Sequence, residues 1–120
     1  MKNFVITRSL WSCDITAQIT VLDEGIHVLI FGGHHAHIGA VSKADFKGNL
    51  TTAQCPGHKD GVVSERWASA LSEIGFRPVV VVAGIHFDNL DHTGIQKVLE
   101  LTESMLKELI SLLTSPEHFD

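Results

Sequence analysis

The sequence predicts an α+β fold, a two-layer sandwich in which a mainly antiparallel sheet of about five strands carries two helices on one face. Three observations point to it. Residues 15–21 alternate apolar and polar with the period of a half-buried strand, and residues 63–74 and 95–113 repeat apolar side chains at three- and four-residue spacing. The extended segments cluster before the first helix, and one more falls between the two helices.

Phe4 to Arg8 reads as the first strand. In the second, Ile15, Ala17, Ile19 and Val21 alternate with Thr16, Gln18 and Thr20, so one face is buried and the other wet. Asp23-Glu24-Gly25 turns the chain. Ile26 to Phe31 is a more continuous apolar run, so residues 14–31 form an antiparallel hairpin whose second strand lies deeper in the sheet. Gly32-Gly33 ends it, Ile38 to Ser42 supplies a short strand, and His34, His35 and His37 fall on the strand-to-strand turn. Residues 45–60 hold Gly48, Asn49, Pro56 and Gly57 without periodicity, the pattern of a long functional loop.

Val63, Trp67, Ala70, Leu71 and Ile74 then mark a helix of about 13 residues with Asp60 as N-cap and Gly75 as terminator. Trp67 falls on its apolar stripe and belongs to the core, whereas the role of Trp11 stays open between packing and stacking on a planar ring. Pro78 restarts an extended chain, and the unbroken run Val79 to Ala83 reads as a strand covered on both faces, delivering Gly84 and His86 at its end. Ile95, Val98, Leu99, Thr102, Leu106, Leu109, Ile110 and Leu113 draw one stripe down a long helix capped by Asp91 or Thr93. If the strands near residues 40 and 80 are parallel neighbours, the helix between them makes a right-handed crossover.

With 120 residues the chain is the size of one domain, spanning 1–120. A formal charge of −5 and nine scattered basic residues exclude nucleic acid as the expected partner, because phosphate backbones are held by clustered Lys and Arg. The longest apolar run, Val79 to Ala83, is far short of the roughly 20 residues of a membrane span. No signal-like apolar segment follows Met1-Lys2-Asn3, so no membrane association and a cytoplasmic location are expected. Cys13 and Cys55 have no CxxC spacing and read as buried free thiols.

The richest chemistry lies in Gly32-Gly33-His34-His35-Ala36-His37-Ile38-Gly39. Imidazole is the commonest neutral metal ligand, and two further histidines, His58 and His86, also stand at the edges of regular elements. Brought to one sheet edge, His37, His58 and His86 with Glu65 would suit zinc or another divalent transition metal, although the spacing matches no zinc signature. The plainer alternative is that each histidine serves its own turn or faces solvent. His34 and His35 are assigned to the local turn, and His27, His92 and His118 have no evident partner.

Gly57 to Arg66 is a glycine-flanked loop opening a helix, where free amides with Lys59 and Arg66 can hold a phosphate or carboxylate. Alternatively Asp60 simply caps the helix and Lys59 is solvated. Ser12 and Ser64 lack a nucleophile-elbow context, and Cys55 three residues before His58 is only a weak Cys-His signal.

Taken in order, His37-Ile38-Gly39-Ala40-Val41, His58-Lys59-Asp60 running into Ser64-Glu65-Arg66, and Ala83-Gly84-Ile85-His86 resemble the LpdD-like family of prenylated-flavin chaperones. The resemblance covers roughly residues 14–113, and Gly32-Gly33 fits it. It implies an accessory protein, not a catalyst, that binds prenylated FMN as cargo and helps to mature a UbiD-type aromatic-acid decarboxylase such as gallate decarboxylase. A flavin prenyltransferase is a second implied partner, and self-association into a homo-oligomer is a further expectation. The implied cargo contacts are His37, Gly39, His58, Lys59, Ser64, Arg66 and Gly84, with Lys59, Ser64 and Arg66 at the phosphate end. His37, His58, Glu65 and His86 line the pocket or bind a metal that does so. Two other readings stand beside it: a metal-dependent hydrolase or lyase built on the His/Glu set, and a non-catalytic subunit that only stabilises a decarboxylase.

Overall fold

A computed structural model describes residues 1–56 and 59–115. The described residues form strands β1 (Lys2–Leu10), β2 (Cys13–Val21), β3 (Ile26–Gly33), β4 (His35–Ala44) and β5 (Leu50–Gln54), helix α1 (Gly61–Glu73), strand β6 (Val79–His86) and helix α2 (His92–Leu113). The strands make one six-stranded sheet in the order β1-β2-β3-β6-β4-β5. Every neighbouring pair is antiparallel except β3 and β6. This is the expected α+β architecture with one strand more than the sequence suggests.

The extra strand is β5, inside the stretch read as a loop. Its residues are exposed apart from the half-buried Thr52, so no apolar periodicity announces it, and its register is set by backbone pairing to β4. The strands near residues 40 and 80 are neighbours but antiparallel, since β6 inserts between β3 and β4 and takes its parallel partner on the other side. β1 and β2 are joined by a two-residue turn, Trp11 and Ser12, at φ 50° and 64°. Both residues there adopt the left-handed conformation that such turns demand, without the Asn-Gly pair that usually signals it.

Both helices pack on the same face of the sheet. Ile6, Ile15, Ala17, Ile19, Val28, Ile30, Val79 and Val81 meet Trp67, Leu71, Met105, Leu106 and Leu109 in one core cluster. Trp67 is 1% exposed, as its place on the helical stripe predicts. Ion pairs fasten the rim, with Arg8 Nη2 of β1 2.8 Å from Glu108 Oε1 of α2. Beneath α1 a buried hydroxyl chain links sheet to helix: Ser42 Oγ lies 2.7 Å from both Thr52 Oγ1 and Ser64 Oγ. Among the described residues no helix is long and apolar enough to cross a membrane.

β6 departs from its expected environment. Val79, Val81 and Ala83 are fully buried, but Val80 and Val82 remain partly exposed on the face opposite the helices. Only one side of this apolar strand is covered by the two helices.

Candidate functional site: a histidine and aspartate cleft at one end of the sheet

The site begins with a mispairing. On β4, Ala36 pairs with Ile85 and Ala40 with Ala83, so His37, Ile38 and Gly39 together face Gly84 alone on β6. Two surplus residues must therefore bulge out of the ladder, and bulges of this kind re-aim side chains at sheet ends. Glycine at two positions makes this one possible. A Cβ on Gly84 would run into the His37 backbone carbonyl, and one on Gly39 would meet the Asp60 carboxylate and the His37 ring. Cys55 ties the bulge from the side, its amide donating to Gly39 O at 2.8 Å and its thiol to Ile38 O at 3.6 Å.

The bulge turns His37 toward Asp60. Nε2 of His37 lies 3.0 Å from Asp60 Oδ2, with the two side chains 12% and 7% exposed. An ionised carboxylate only accepts, so Nε2 carries the proton. The other oxygen, Oδ1, accepts the Ile85 backbone N–H at 3.0 Å. Asp60 was expected to cap α1 through its side chain. It occupies the N-cap position, but among the described residues its carboxylate caps nothing in the helix; only its backbone carbonyl accepts from Val63 and Ser64. The side chain instead locks the start of α1 to the β4 bulge and the end of β6. The Gly61 amide is met by Gln54 Oε1 at 2.8 Å.

Around this latch stand more imidazoles. The His35 ring is 5.8 Å from that of His37 and 6.4 Å from that of His86, and the His37 and His86 rings are 6.2 Å apart, all centre to centre. Nε2 of His86 is 2.9 Å from Asp88 Oδ1, while the Asp88 amide donates to His34 Nδ1 at 3.0 Å. His34 also packs edge-on against Phe87, as does Trp11, with ring centres 5.2 and 5.1 Å away. Trp11 thus packs on a protein ring, and it remains 45% exposed.

Beside the latch an open cleft of about 330 Å³ runs between Lys59, Asp60, Ile85, His86, Phe87, Leu90 and Ile95. It deepens into an apolar recess of about 110 Å³ bounded by Val63, Val98 and Leu99. A neighbouring hollow of about 260 Å³ lies between Trp11, His34 and Asp88 at the start of α2. Asp91 caps that helix as expected, accepting the Gly94 amide at 2.7 Å.

Of the residues singled out from the sequence, His37, Gly39, Lys59, Gly84 and His86 come together at this end. His58, Gly57 and His118 lie outside the described residues. Ser64 is buried behind the helix start, its hydroxyl shared with Ser42 and the Gly61 carbonyl. Glu65 is exposed on α1. Arg66 points along the helices to Glu103, pairing through Nη2 to Oε1 at 2.8 Å and Nε to Oε2 at 3.1 Å. This hydrogen-bonded pairing holds the Glu103 carboxyl below the ordinary carboxylate range and raises the Arg66 guanidinium.

Among the described residues no three His, Cys, Asp or Glu side chains converge closely enough to hold a metal ion. The reasons are local: Nε2 of His37 faces Asp60, Nε2 of His86 faces Asp88, and Glu65 stands on the solvent side of its helix. The sequence reading missed four contributors. Asp60 stands in the sequence as a cap and as a motif position with no site role assigned, His34 and His35 as turn residues, and Asp88, two residues beyond His86, carries no signal of its own.

The sheet thus ends in a cluster of histidines and aspartates beside an apolar recess, and comparison with known proteins says to which class the chain belongs. Residues 9–114 match the prenylated flavin chaperone LpdD-like domain, and the chain belongs to that family. It is 26% identical over 102 residues to Protein LpdD of Lactiplantibacillus plantarum (strain ATCC BAA-793 / NCIMB 8826 / WCFS1), covering 81% of this chain and 75% of that protein. In fold it resembles a chain of the crystal structure of a novel chaperone complex for yeast 20S proteasome assembly, with a TM-score of 0.55 at 18% identity, covering 92% of this chain and 98% of that one. Membership of a chaperone family implies work with a partner protein.

Proposed function

We propose that the protein binds prenylated FMN in the cleft beside the His37–Asp60 latch and delivers it to, or protects it within, a UbiD-type aromatic-acid decarboxylase. The observation that carries the reading is the pairing of one exposed lysine at the mouth with an apolar recess. Lys59 is exposed at the mouth, and Ile85, Phe87, Leu90 and Ile95 line the wall. A prenylated flavin needs both, since it has a phosphate at one end and an enlarged ring system at the other.

Size restricts the pose. Pockets that enclose a drug-sized ligand run to about 300–1,000 Å³, and the cleft here is about 330 Å³. It suits part of the cofactor, so the ring end enters against Phe87 while the ribityl and phosphate extend past Lys59 into solvent or toward a partner. Such half-burial suits a carrier that must give up its cargo. His37, His86 and Gly84 shape the polar wall, Gly39 leaves room for the Asp60 carboxylate, and His58 adjoins Lys59 in sequence. From their positions Ser64 and Arg66 contribute to holding α1 rather than touching cargo.

Anaerobic size-exclusion of the protein with reduced prenylated FMN, read by absorbance, tests the proposal. Co-elution near one equivalent is expected, weakened by Lys59→Ala and by Phe87→Ala. Absence of co-elution at micromolar protein would overturn it.

A further inference from the structure

The recess at the foot of the cleft is walled by Val63, Phe87, Leu90, Ile95, Val98 and Leu99. Ile95, Val98 and Leu99 stand three and four residues apart on α2, so one face of that helix brings them together against Val63 of α1 and Phe87 just past β6. Val63, Phe87 and Val98 are each less than 9% exposed. Among the described residues that line the recess, only Lys59 and Asp60 are polar, and both also border the cleft. Its inner end is therefore wholly apolar.

One wall is held in place by a glycine. A Cβ on Gly94, in the first turn of α2, would come within 2.8 Å of Leu90 Cδ1. Gly94 is absent from the lining itself, so Leu90 lies between it and the recess. Alanine would serve the helix better than glycine, and what glycine supplies here is the seat on which Leu90 rests.

Size decides what can enter. An apolar cavity of about 150 Å³ takes the six carbons of benzene. A recess of about 110 Å³ on the same scale takes roughly four or five carbons, far less than the three fused rings of a flavin. Prenylation adds one five-carbon isoprenoid unit, closing a further ring across N5 and C6 of the isoalloxazine. That edge lies opposite N10, which carries the ribityl phosphate. With the phosphate directed past Lys59 at the mouth, the added ring is the part of the cargo that reaches deepest.

We infer that this recess receives the isoprenoid-derived ring and makes the cleft selective for prenylated over plain FMN. The assignment rests on the proposed flavin site. Plain FMN in the same pose leaves the recess unfilled, and its apolar walls offer water no partners. The dimethylbenzene end of the ring system is apolar too, but both flavins carry it, so a recess that held that end would not discriminate between them.

Anaerobic equilibrium dialysis against reduced prenylated FMN and reduced FMN, with circular dichroism to confirm each variant's fold, tests the assignment. The wild-type chain is expected to prefer the prenylated flavin by at least about a hundredfold, the discrimination that one or two buried methylenes supply. Val98→Phe places a ring in the recess and is expected to cut that preference to within about tenfold. Gly94→Ala moves Leu90 off its seat and narrows the recess; it is expected to lower the preference by about tenfold, and it stands in should Val98→Phe not fold. A preference that survives in the folded variants, both flavins being weakened alike, overturns the inference and leaves the carrier reading standing. So does a wild-type preference below about tenfold, less than one methylene is worth. Prenylated FMN that fails to bind the wild-type chain overturns both.

Discussion

Replacing Asp60 by alanine removes the one group that touches all three elements of the site. The carboxylate is 7% exposed, and its loss strands two donors, the His37 Nε2–H and the Ile85 backbone N–H, each now at 3.0 Å from an acceptor. A buried donor left unsatisfied costs about 1–3 kcal/mol. Because the cleft beside them admits water, the lower half of the summed range applies, about 2–4 kcal/mol. For a chain of this length that lowers the melting temperature by roughly 8–16 °C.

Asp60→Asn separates the latch from an ordinary helix cap. As a cap, asparagine equals aspartate. In the latch the amide can still accept from Ile85, but its NH2 then faces the protonated Nε2 of His37, which must hand its proton to Nδ1 to accept. A loss of about 1 kcal/mol is expected for asparagine, clearly smaller than for alanine. Urea unfolding followed through the core residue Trp67, with a His37→Ala/Asp60→Ala double-mutant cycle, measures both numbers, and the cycle should return a coupling of about 1–2 kcal/mol. If Asp60→Ala costs less than about 0.5 kcal/mol, or if asparagine matches wild type, the latch reasoning fails.

Other consequences follow from the same geometry. Gly84→Ala should force the His37 carbonyl out of the ladder and destabilise the fold by at least about 2 kcal/mol, with loss of amide-exchange protection at Ile85 and Ala40; an unperturbed stability would show that the bulge tolerates a side chain. Ser64→Ala should cost about 1 kcal/mol through the Ser42–Ser64 hydrogen bond while leaving flavin binding unchanged, so a selective loss of binding would return Ser64 to the cargo site. For Arg66 and Glu103 the sign runs one way: Glu103 is held below the ordinary carboxylate range in the fold. Its contribution is therefore complete above its unfolded-state pKa and disappears as pH falls through the folded-state value. With Glu103 one-third exposed the margin over Glu103→Gln stays within about 0.5 kcal/mol at neutral pH and vanishes in acid; a margin that grows on acidification contradicts the pairing.

Much of the fold was legible because periodicity reports burial. The alternation of Ile15 to Val21, the stripe from Val63 to Leu71 and the cap at Asp91 all correspond to what the packing requires, whereas Ile74, expected on the same stripe, is the exposed C-cap of α1. β5 was hidden because an exposed edge strand bonded through its backbone leaves no apolar pattern. The Trp11-Ser12 turn was hidden because tertiary packing of Trp11 on Phe87 accompanies a conformation its own residues do not favour. In the site, glycines at 39 and 84 were visible as motif positions, but their reason, close approach of the His37 carbonyl and the Asp60 carboxylate, depends on a register shift that no local pattern announces. Asp60 was misread for a related cause. A residue at an N-cap position has a local use for its carboxylate, and here tertiary partners took it instead.

The central claim is that the cleft beside Lys59 and Phe87 carries prenylated flavin. Anaerobic titration of the protein with reduced prenylated FMN, followed by quenching of Trp11 fluorescence in a Trp67→Phe background and checked against unprenylated FMN, measures it directly. Saturable quenching near one equivalent, with clear preference for the prenylated form and weakening by Lys59→Ala, is the expected result. Equal affinity for the two flavins, or no saturable quenching at micromolar protein, would contradict the account.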